Sequence, residues 1–149
     1  MKTALFPGSF DPFTIGHLDI VRRGLELFDQ IVIGIGQNGE KQPFLSPQFR
    51  LDALQQLFAQ EPRVSVCLFD SLTVDFARQC EAQFILRGVR SVQDFEYERA
   101  MADINRQLTG IETVLLYARS EYASVSSSVV RDLYKYQHDV SRLVPYPLP

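Results

Sequence analysis

Between the apolar run Ala4-Leu5-Phe6 and an amphipathic helix, the chain reads Gly8-Ser9-Phe10-Asp11-Pro12-Phe13-Thr14-Ile15-Gly16-His17. A loop that leaves a strand and enters a helix brings free backbone N–H groups and the positive end of the helix dipole to one point. Such a point favours anions, phosphate above all. Because this loop also carries the Ser9 hydroxyl and the His17 imidazole, we interpret it as a place for chemistry on a phosphate.

Strand-like runs alternate with helical patterns along the rest of the chain. Strands are predicted at residues 3–6, 31–35, 64–68, 84–86 and 113–117. Helices are predicted after the opening loop, at 46–58, at 73–80, along a longest helix with Tyr97, Met101, Ile104 and Leu108 on one face, and from Ser126, with a short helical piece near 139–143. The alternation predicts one α/β domain over residues 1–149, with a short irregular tail from about residue 144. We expect a Rossmann-like, doubly wound, five-stranded parallel sheet with helices on both faces.

Composition narrows the function classes. A net charge of −3 argues against broad binding to nucleic acid or to a membrane surface. No apolar run approaches the ~20 residues of a membrane span, and no secretory signal precedes the first strand. Cys67 and Cys80 have no partners at metal-binding spacing, so we expect buried thiols, no protein metal site and a cytoplasmic protein.

Chemically suggestive residues follow each predicted strand. Parallel sheets bind ligands beyond the carboxyl ends of their strands, where the strand order reverses. The residues that follow the five strands are, in order, Ser9 with His17, Lys41, Thr73, Arg87 with Arg90, and Ser126 with Ser127 and Ser128. The sequence therefore predicts that they converge on one edge of the sheet.

The arginines and serines among these residues also have a plainer interpretation. Arg87 and Arg90 could form surface salt bridges, but forked guanidinium donors directly after a strand fit phosphate better. One of the three serines is expected to be an N-cap, while the group adds donors for the outer phosphates of a nucleotide. His138 is expected at the surface, and Asp94 with Glu96 as a helix-surface charge network.

One motif misleads. Residues 34–39 match G-x-G-x-x-G after a strand, but a dinucleotide fingerprint needs a helix that opens within it. The next helix signal is Ser46-Pro47, so we interpret Gly34 and Gly36 as closely packed strand residues and Gly39 as a loop residue. A dehydrogenase is therefore the weakest hypothesis, and no P-loop sequence is present.

The segment Thr14-Ile15-Gly16-His17 resembles the [HT]-x-G-H signature of a nucleotidyltransferase superfamily. Within it, the chain resembles the bacterial phosphopantetheine adenylyltransferases up to about Leu143. The blocks that carry this resemblance are residues 6–17, 86–98 and 126–131, together with Phe76-Ala77-Arg78. Ser124 and Thr73 depart from the residues that are usual in that family, and the chain ends early in a proline-rich tail.

The resemblance implies an enzyme that transfers AMP from ATP to 4′-phosphopantetheine, giving dephospho-coenzyme A and pyrophosphate, with Mg²⁺ accompanying ATP. It implies a homohexamer and the catalytic residues His17, Lys41 and Arg87. The implied pantetheine contacts are Ser9, Lys41, Thr73 and Arg87. The implied ATP contacts are Ser9, Phe10, His17, Gly88, Val89, Arg90, Glu98, Tyr122, Ala123, Ser124, Val125, Ser126, Ser127 and Ser128.

Two other hypotheses stay open at the level of sequence. The chain could be a related adenylyl- or cytidylyltransferase that acts on another phosphate, or a catalytically silent nucleotide-binding regulator. For transfer to a phosphate monoester, which is already anionic, no general base or covalent intermediate is required. The expected task of the protein is to hold two polyanions in line and to stabilise charge at the α-phosphate.

Overall fold

The computed structural model describes residues 1–37 and 42–149. Its sheet has five parallel strands in the order β3-β2-β1-β4-β5. The strands are β1 Thr3–Gly8, β2 Gln30–Gly36, β3 Val64–Phe69, β4 Phe84–Val89 and β5 Glu112–Tyr117. All five predicted strands are confirmed, most of them within one or two residues at each end.

Five α-helices connect and follow these strands in the described residues. They are α1 Ile15–Gly24, α2 Pro47–Leu57, α3 Thr73–Gln79, α4 Val92–Thr109 and α5 Ser127–Lys135, with a short 3₁₀ turn at Ser120–Tyr122 before α5. Side-chain oxygens of Thr14, Ser46, Ser91 and Ser126 accept the first-turn N–H groups of four of them. Gly110, with φ of 76°, ends α4 in the left-handed conformation.

Side chains of the sheet alternate between two apolar layers. Ala4 and Phe6 of β1 lie in one cluster with residues of α1 and α2, whereas Leu5 lies in a second cluster with residues of α3. Such alternation follows from the two-residue period of a strand. Helices therefore cover both faces, which confirms the predicted Rossmann-like α/β fold.

The strand order reverses between β1 and β4, which lie side by side at the centre of the sheet. In such a sheet the crevice beyond the carboxyl ends of these two strands is the expected ligand position. The β1–α1 loop, residues 9–14, and the end of β4 both lie at this crevice.

One predicted strand boundary and one predicted short helix are wrong. Strand β4 continues to Val89, so Arg87 and Gly88 lie in the strand rather than after it, because they pair with Leu115 and Leu116 of β5. The short helix expected near 139–143 is a turn closed by a bond from the Leu143 N–H to the Val140 carbonyl. The prolines that follow lack the N–H groups needed to extend it.

Several smaller expectations are confirmed. Gly34 and Gly36 lie in β2, and a Cβ atom at Gly34 would come within 3.0–3.1 Å of Leu5, Phe69 and Phe76. His138 is exposed. Cys67 and Cys80 are free thiols that pack against the second apolar cluster, but both are only partly buried, so the expectation of buried thiols is wrong.

The apolar face of α4 is largely uncovered. Tyr97, Met101, Ile104 and Leu108 are between 39% and 65% exposed. The periodic pattern therefore marks a surface of the chain rather than its core. No described helix is both long and apolar enough to cross a bilayer.

Candidate active site

A cavity of about 340 Å³ opens at the carboxyl ends of β1 and β4. We call it the first cavity. The β1–α1 loop forms one wall, the end of β4 and the start of α4 form another, and the N-terminus of α5 closes it. Three chain segments that are far apart in the sequence are thus brought to one place, as the positions after the strands predicted.

His17 lies in the first turn of α1 and lines the first cavity. The Thr14 backbone N–H donates to His17 Nδ1 at 2.9 Å, and the Thr14 hydroxyl lies 3.1 Å from the same nitrogen. Because Nδ1 accepts this backbone hydrogen bond, the proton of the neutral ring is on Nε2. The helix cap therefore fixes the tautomer and leaves an N–H donor available.

Burial and two nearby cations keep His17 uncharged. Loss of solvation, followed by the positive charges of Arg87 and Arg90, lowers the pKa of His17 from 6.5 to about 3. The ring is also enclosed by Phe10 and Phe13, with centroid distances of 5.1 and 5.2 Å. At neutral pH, His17 is therefore a neutral, immobilised hydrogen-bond donor.

Arg87 and Glu98 form an ion pair beside the loop. Arg87 Nε lies 3.0 and 3.1 Å from the two carboxylate oxygens of Glu98, and Nη2 lies 2.9 Å from one of them. Arg87 also donates to the Pro7 carbonyl. The salt bridge that was the plainer interpretation is thus present, and it fixes a guanidinium at the edge of the cavity.

Arg90 forms a looser pair at the start of α4. Its Nε lies 3.4 Å from Asp94, whose carboxylate also accepts the Arg90 backbone N–H. Glu96 lies 4.0 Å from Arg99 at an exposed position. The surface charge network expected for Asp94 and Glu96 is therefore present, although Asp94 also lines the first cavity.

The serines at the start of α5 make different hydrogen bonds. Ser126 is the N-cap and accepts the Val129 N–H, as predicted for one of the three. Ser127 donates to the Pro12 carbonyl at 2.7 Å, and so holds the β1–α1 loop. All three line the first cavity, where the unpaired N–H groups of the first helical turn favour an anion.

A second cavity, of about 490 Å³, lies on the other side of the Arg87–Glu98 pair. Its lining is largely apolar and comes from α4, from the end of β3 and from the segment that joins β3 to α3, including Phe69, Leu72 and Met101. Thr73 lines it as well. The two cavities share the wall residues Pro7, Gly8, Ser9, Arg87 and Glu98.

Most of the predicted site residues come together here. The first cavity is lined by Ser9, Phe10, His17, Gly88, Val89, Arg90, Glu98, Tyr122, Val125, Ser126, Ser127 and Ser128. Ala123 and Ser124 are exposed and line neither cavity. Lys41 lies outside the described residues.

Sequence reasoning gave no individual role to three residues that contribute to the site. Thr14 caps α1 and orients His17, and its position three residues before the histidine is the spacing of a capping box. Arg131 lines the first cavity and donates to the Asp11 carbonyl at 2.8 Å. Asn105 lines the second cavity as a polar residue among apolar neighbours on α4.

No group of three or more His, Cys, Asp or Glu side chains that could hold a metal ion occurs within residues 1–37 and 42–149. Asp94 and Glu98, the two carboxylates of the first cavity, are each paired with an arginine. Each carboxylate of this cavity in the described chain is therefore engaged by a guanidinium group.

The description "Cytidylyltransferase-like" belongs to the family profile that matches residues 5–133 of the chain. Proteins named phosphopantetheine adenylyltransferase from Phocaeicola vulgatus and Cytophaga hutchinsonii are 52% and 43% identical to it. The first alignment covers 97% of this chain and 96% of the relative, and the second covers 99% of each. The chain belongs to the phosphopantetheine adenylyltransferase family. It is therefore a nucleotidyltransferase.

A solved structure supports the fold of this phosphopantetheine adenylyltransferase family member. The crystal structure of a lipopolysaccharide core biosynthesis protein from Thermoplasma volcanium is similar with a TM-score of 0.59 and 18% identity. The similarity covers 80% of this chain and 97% of the other. At this identity the similarity concerns the arrangement of strands and helices alone.

Proposed function

We propose that the protein transfers AMP from ATP to 4′-phosphopantetheine, giving dephospho-coenzyme A and pyrophosphate. The observation that carries the proposal is the wall shared by two cavities, at Ser9 and Arg87. A transfer reaction needs two ligands whose reacting groups meet, and the shared wall offers one such place. The family relatives supply the names of the reaction and its acceptor.

ATP is assigned to the first cavity. Its lining combines the β1–α1 loop, Arg90 and the N-terminus of α5, which together offer backbone, hydroxyl and guanidinium donors. Such donors suit a chain of phosphates. We propose the ATP contacts that the resemblance implies, with Ala123 and Ser124 as the residues that the cavity lining supports least.

Phosphopantetheine is assigned to the second cavity. The phosphate end is placed at Ser9 and Arg87, and the long, flexible arm extends toward Thr73, Met101 and Leu108. A mostly apolar lining suits such an arm better than a sugar phosphate or a second nucleotide. Lys41 is proposed as a further cation for the attacking phosphate.

The reaction is proposed as a direct in-line displacement. An oxygen of the acceptor phosphate forms a bond to the α-phosphorus of ATP, the bond from that phosphorus to the β-bridging oxygen breaks, and pyrophosphate leaves. His17 donates from Nε2 to an α-phosphate oxygen as charge develops there. Arg87 and Lys41 orient the attacking phosphate, while Arg90 and the start of α5 hold the leaving group.

Mg²⁺ is proposed to arrive with ATP, bound mainly by phosphate oxygens and water. Mg²⁺ keeps several waters and commonly uses substrate phosphates as ligands. When bound, it supplies charge neutralisation on the triphosphate. The arginine pairing of Asp94 and Glu98 supports this assignment over a site built from protein carboxylates.

The proposal is tested by pyrophosphate release from ATP with phosphopantetheine, compared with a panel of other phosphate acceptors. His17→Ala should lower kcat by roughly 10²–10³-fold, by analogy with the loss of an oxyanion-hole donor. A variant with near-normal kcat contradicts the role of His17. Turnover with another acceptor but not with phosphopantetheine contradicts the substrate, and ATP binding without turnover of any acceptor favours a regulator.

We further propose a cytoplasmic homohexamer. The uncovered apolar face of α4 supports self-association, because a contiguous exposed apolar surface commonly marks an interaction site. The free thiols of Cys67 and Cys80 support a reducing compartment. Light scattering after gel filtration measures the assembly, and a monomeric mass contradicts the hexamer.

A further inference from the structure

A buried cation outside both cavities holds the backbone of the β1–α1 loop. Arg50, on α2, is 4% exposed and lines neither cavity. Its Nη1 donates to the Ser9 carbonyl at 2.5 Å, and its Nε donates to the Leu45 carbonyl at 3.1 Å. One guanidinium therefore joins the loop to the segment that leads into α2.

Asp11 strengthens the same junction from the loop side. Its two carboxylate oxygens accept the backbone N–H groups of Phe44 and Leu45 at 2.8 and 2.7 Å. One of them lies 3.9 Å from Arg50 Nε. The buried charge of Arg50 thus has a counter-charge. Arg50 binds the β1–α1 loop from the α2 side, and Asp11 binds the segment before α2 from the loop side.

A contribution to the stability of the fold does not by itself explain why residue 50 is an arginine. Burying a cation costs free energy, and apolar residues of similar volume often serve a core as well as a buried ion pair. What an apolar side chain cannot do is hold two carbonyl groups in a fixed relation. The rigid fork of a guanidinium does so.

The carbonyl that the fork holds belongs to Ser9, which lies in the wall between the two cavities. We propose that Arg50 is a positioning residue for AMP transfer, acting through the backbone of Ser9. The inference rests on the proposed function for the reaction that it serves. A misplacement of about 1 Å, caused far from the chemistry, can cost about 10²-fold in rate.

Two substitutions separate positioning from stability. Arg50→Lys keeps a positive charge beside Asp11 but cannot reproduce the planar fork, whereas Arg50→Met removes the charge and keeps an unbranched side chain. We expect Arg50→Lys to melt close to the wild type and to show a kcat about 10²-fold lower per folded protein. Arg50→Met should lose both stability and rate.

A spectroscopic readout reports on the contact itself. The ¹³C signal of the Ser9 carbonyl should move upfield in Arg50→Lys, because a hydrogen-bonded carbonyl carbon is deshielded. Arg63→Lys is the matched control. Arg63 also donates to a backbone carbonyl, that of Leu25, and pairs with Glu61, but it is exposed. Its kinetics and the Ser9 signal should not change.

The proposal is overturned if Arg50→Lys has the wild-type kcat, or if its loss of rate equals its loss of folded protein. A Ser9 carbonyl signal at the wild-type position overturns it as well. Should the wild type fail to turn over ATP with phosphopantetheine, the proposed reaction fails separately. The Ser9 signal then decides by itself whether Arg50 holds the loop.

Discussion

His17 makes the stability of this protein sensitive to acid. Its pKa falls from 6.5 to about 3 on folding, because burial and the cations Arg87 and Arg90 disfavour the imidazolium. Between these two values the unfolded chain binds a proton that the folded protein does not. The free energy of unfolding therefore rises with pH across this window and falls as the solution is acidified below 6.5.

The size of the effect follows from the shift. Each unit of pH between the two pKa values corresponds to about 1.4 kcal/mol. Acidification from pH 7 to pH 5 crosses about 1.5 units below the unfolded value, so His17 should account for about 2 kcal/mol of lost stability. His17→Asn removes the titrating group and should remove that portion of the loss.

Urea unfolding of the ligand-free protein at pH 5, 6 and 7 measures this difference, with a constant m-value as the check that unfolding stays two-state. His138→Asn, at an exposed position, controls for the removal of a histidine as such. The reasoning is refuted if His17→Asn loses as much stability on acidification as the wild type. It is also refuted if His17→Asn and His138→Asn reduce the loss of stability between pH 7 and pH 5 by the same amount.

Three further predictions concern individual contacts. Lys41→Ala should raise KM for phosphopantetheine by about 10–100-fold, which is the effect of one charge-assisted hydrogen bond, and should leave the affinity for ATP nearly unchanged. Steady-state kinetics and calorimetry measure the two effects, and equal losses for both ligands would contradict the assignment of Lys41. Thr14→Val should lower the free energy of unfolding by about 1 kcal/mol, because the helix cap is lost. Its kcat should fall far less than that of His17→Ala, because the Thr14 backbone N–H still fixes the tautomer of His17. A kcat as low as that of His17→Ala would show instead that the Thr14 hydroxyl orients the ring. Gly34→Ala should lower the free energy of unfolding by about 1–3 kcal/mol, since its Cβ would lie 3.0–3.1 Å from Leu5, Phe69 and Phe76. Gly36→Ala should lower it clearly less, because its Cβ would have no neighbour closer than 3.6 Å. Equal melting temperatures for the two variants would count against this close packing.

Local patterns were sufficient for much of the fold. A short apolar run predicts each strand. Ser46-Pro47 and Ser126 indicate where two helices begin, because capping acts within a few residues. One error arose where distant residues decide, and the other where nearby prolines do. Strand β4 extends through Arg87 because β5 offers it partners, and the turn at 139–143 stays short because prolines follow.

The face of α4 shows a second limit of pattern reasoning. Its spacing correctly marks one side of the helix, but spacing does not say what covers that side. In the described chain, Glu98 is the buried residue of α4, held by Arg87, whereas Tyr97 and Leu108 are exposed. A charged residue is inside and apolar residues are outside, which only the packing of the helix on the sheet could establish.

The sequence by itself determined the order of strands and helices, the polar loop that joins β1 to α1, and most of the cationic and hydroxyl side chains at the carboxyl ends of the strands. Tertiary structure alone decided that His17 is neutral, that Arg87 is paired with Glu98, and that two cavities meet at Ser9. The physical reason is range. Helix caps and strand periodicity act over a few residues. The pKa of His17 depends instead on burial in the folded protein and on cations some 70 positions away, and the carbonyl of Ser9 is held by a guanidinium 41 positions along the chain.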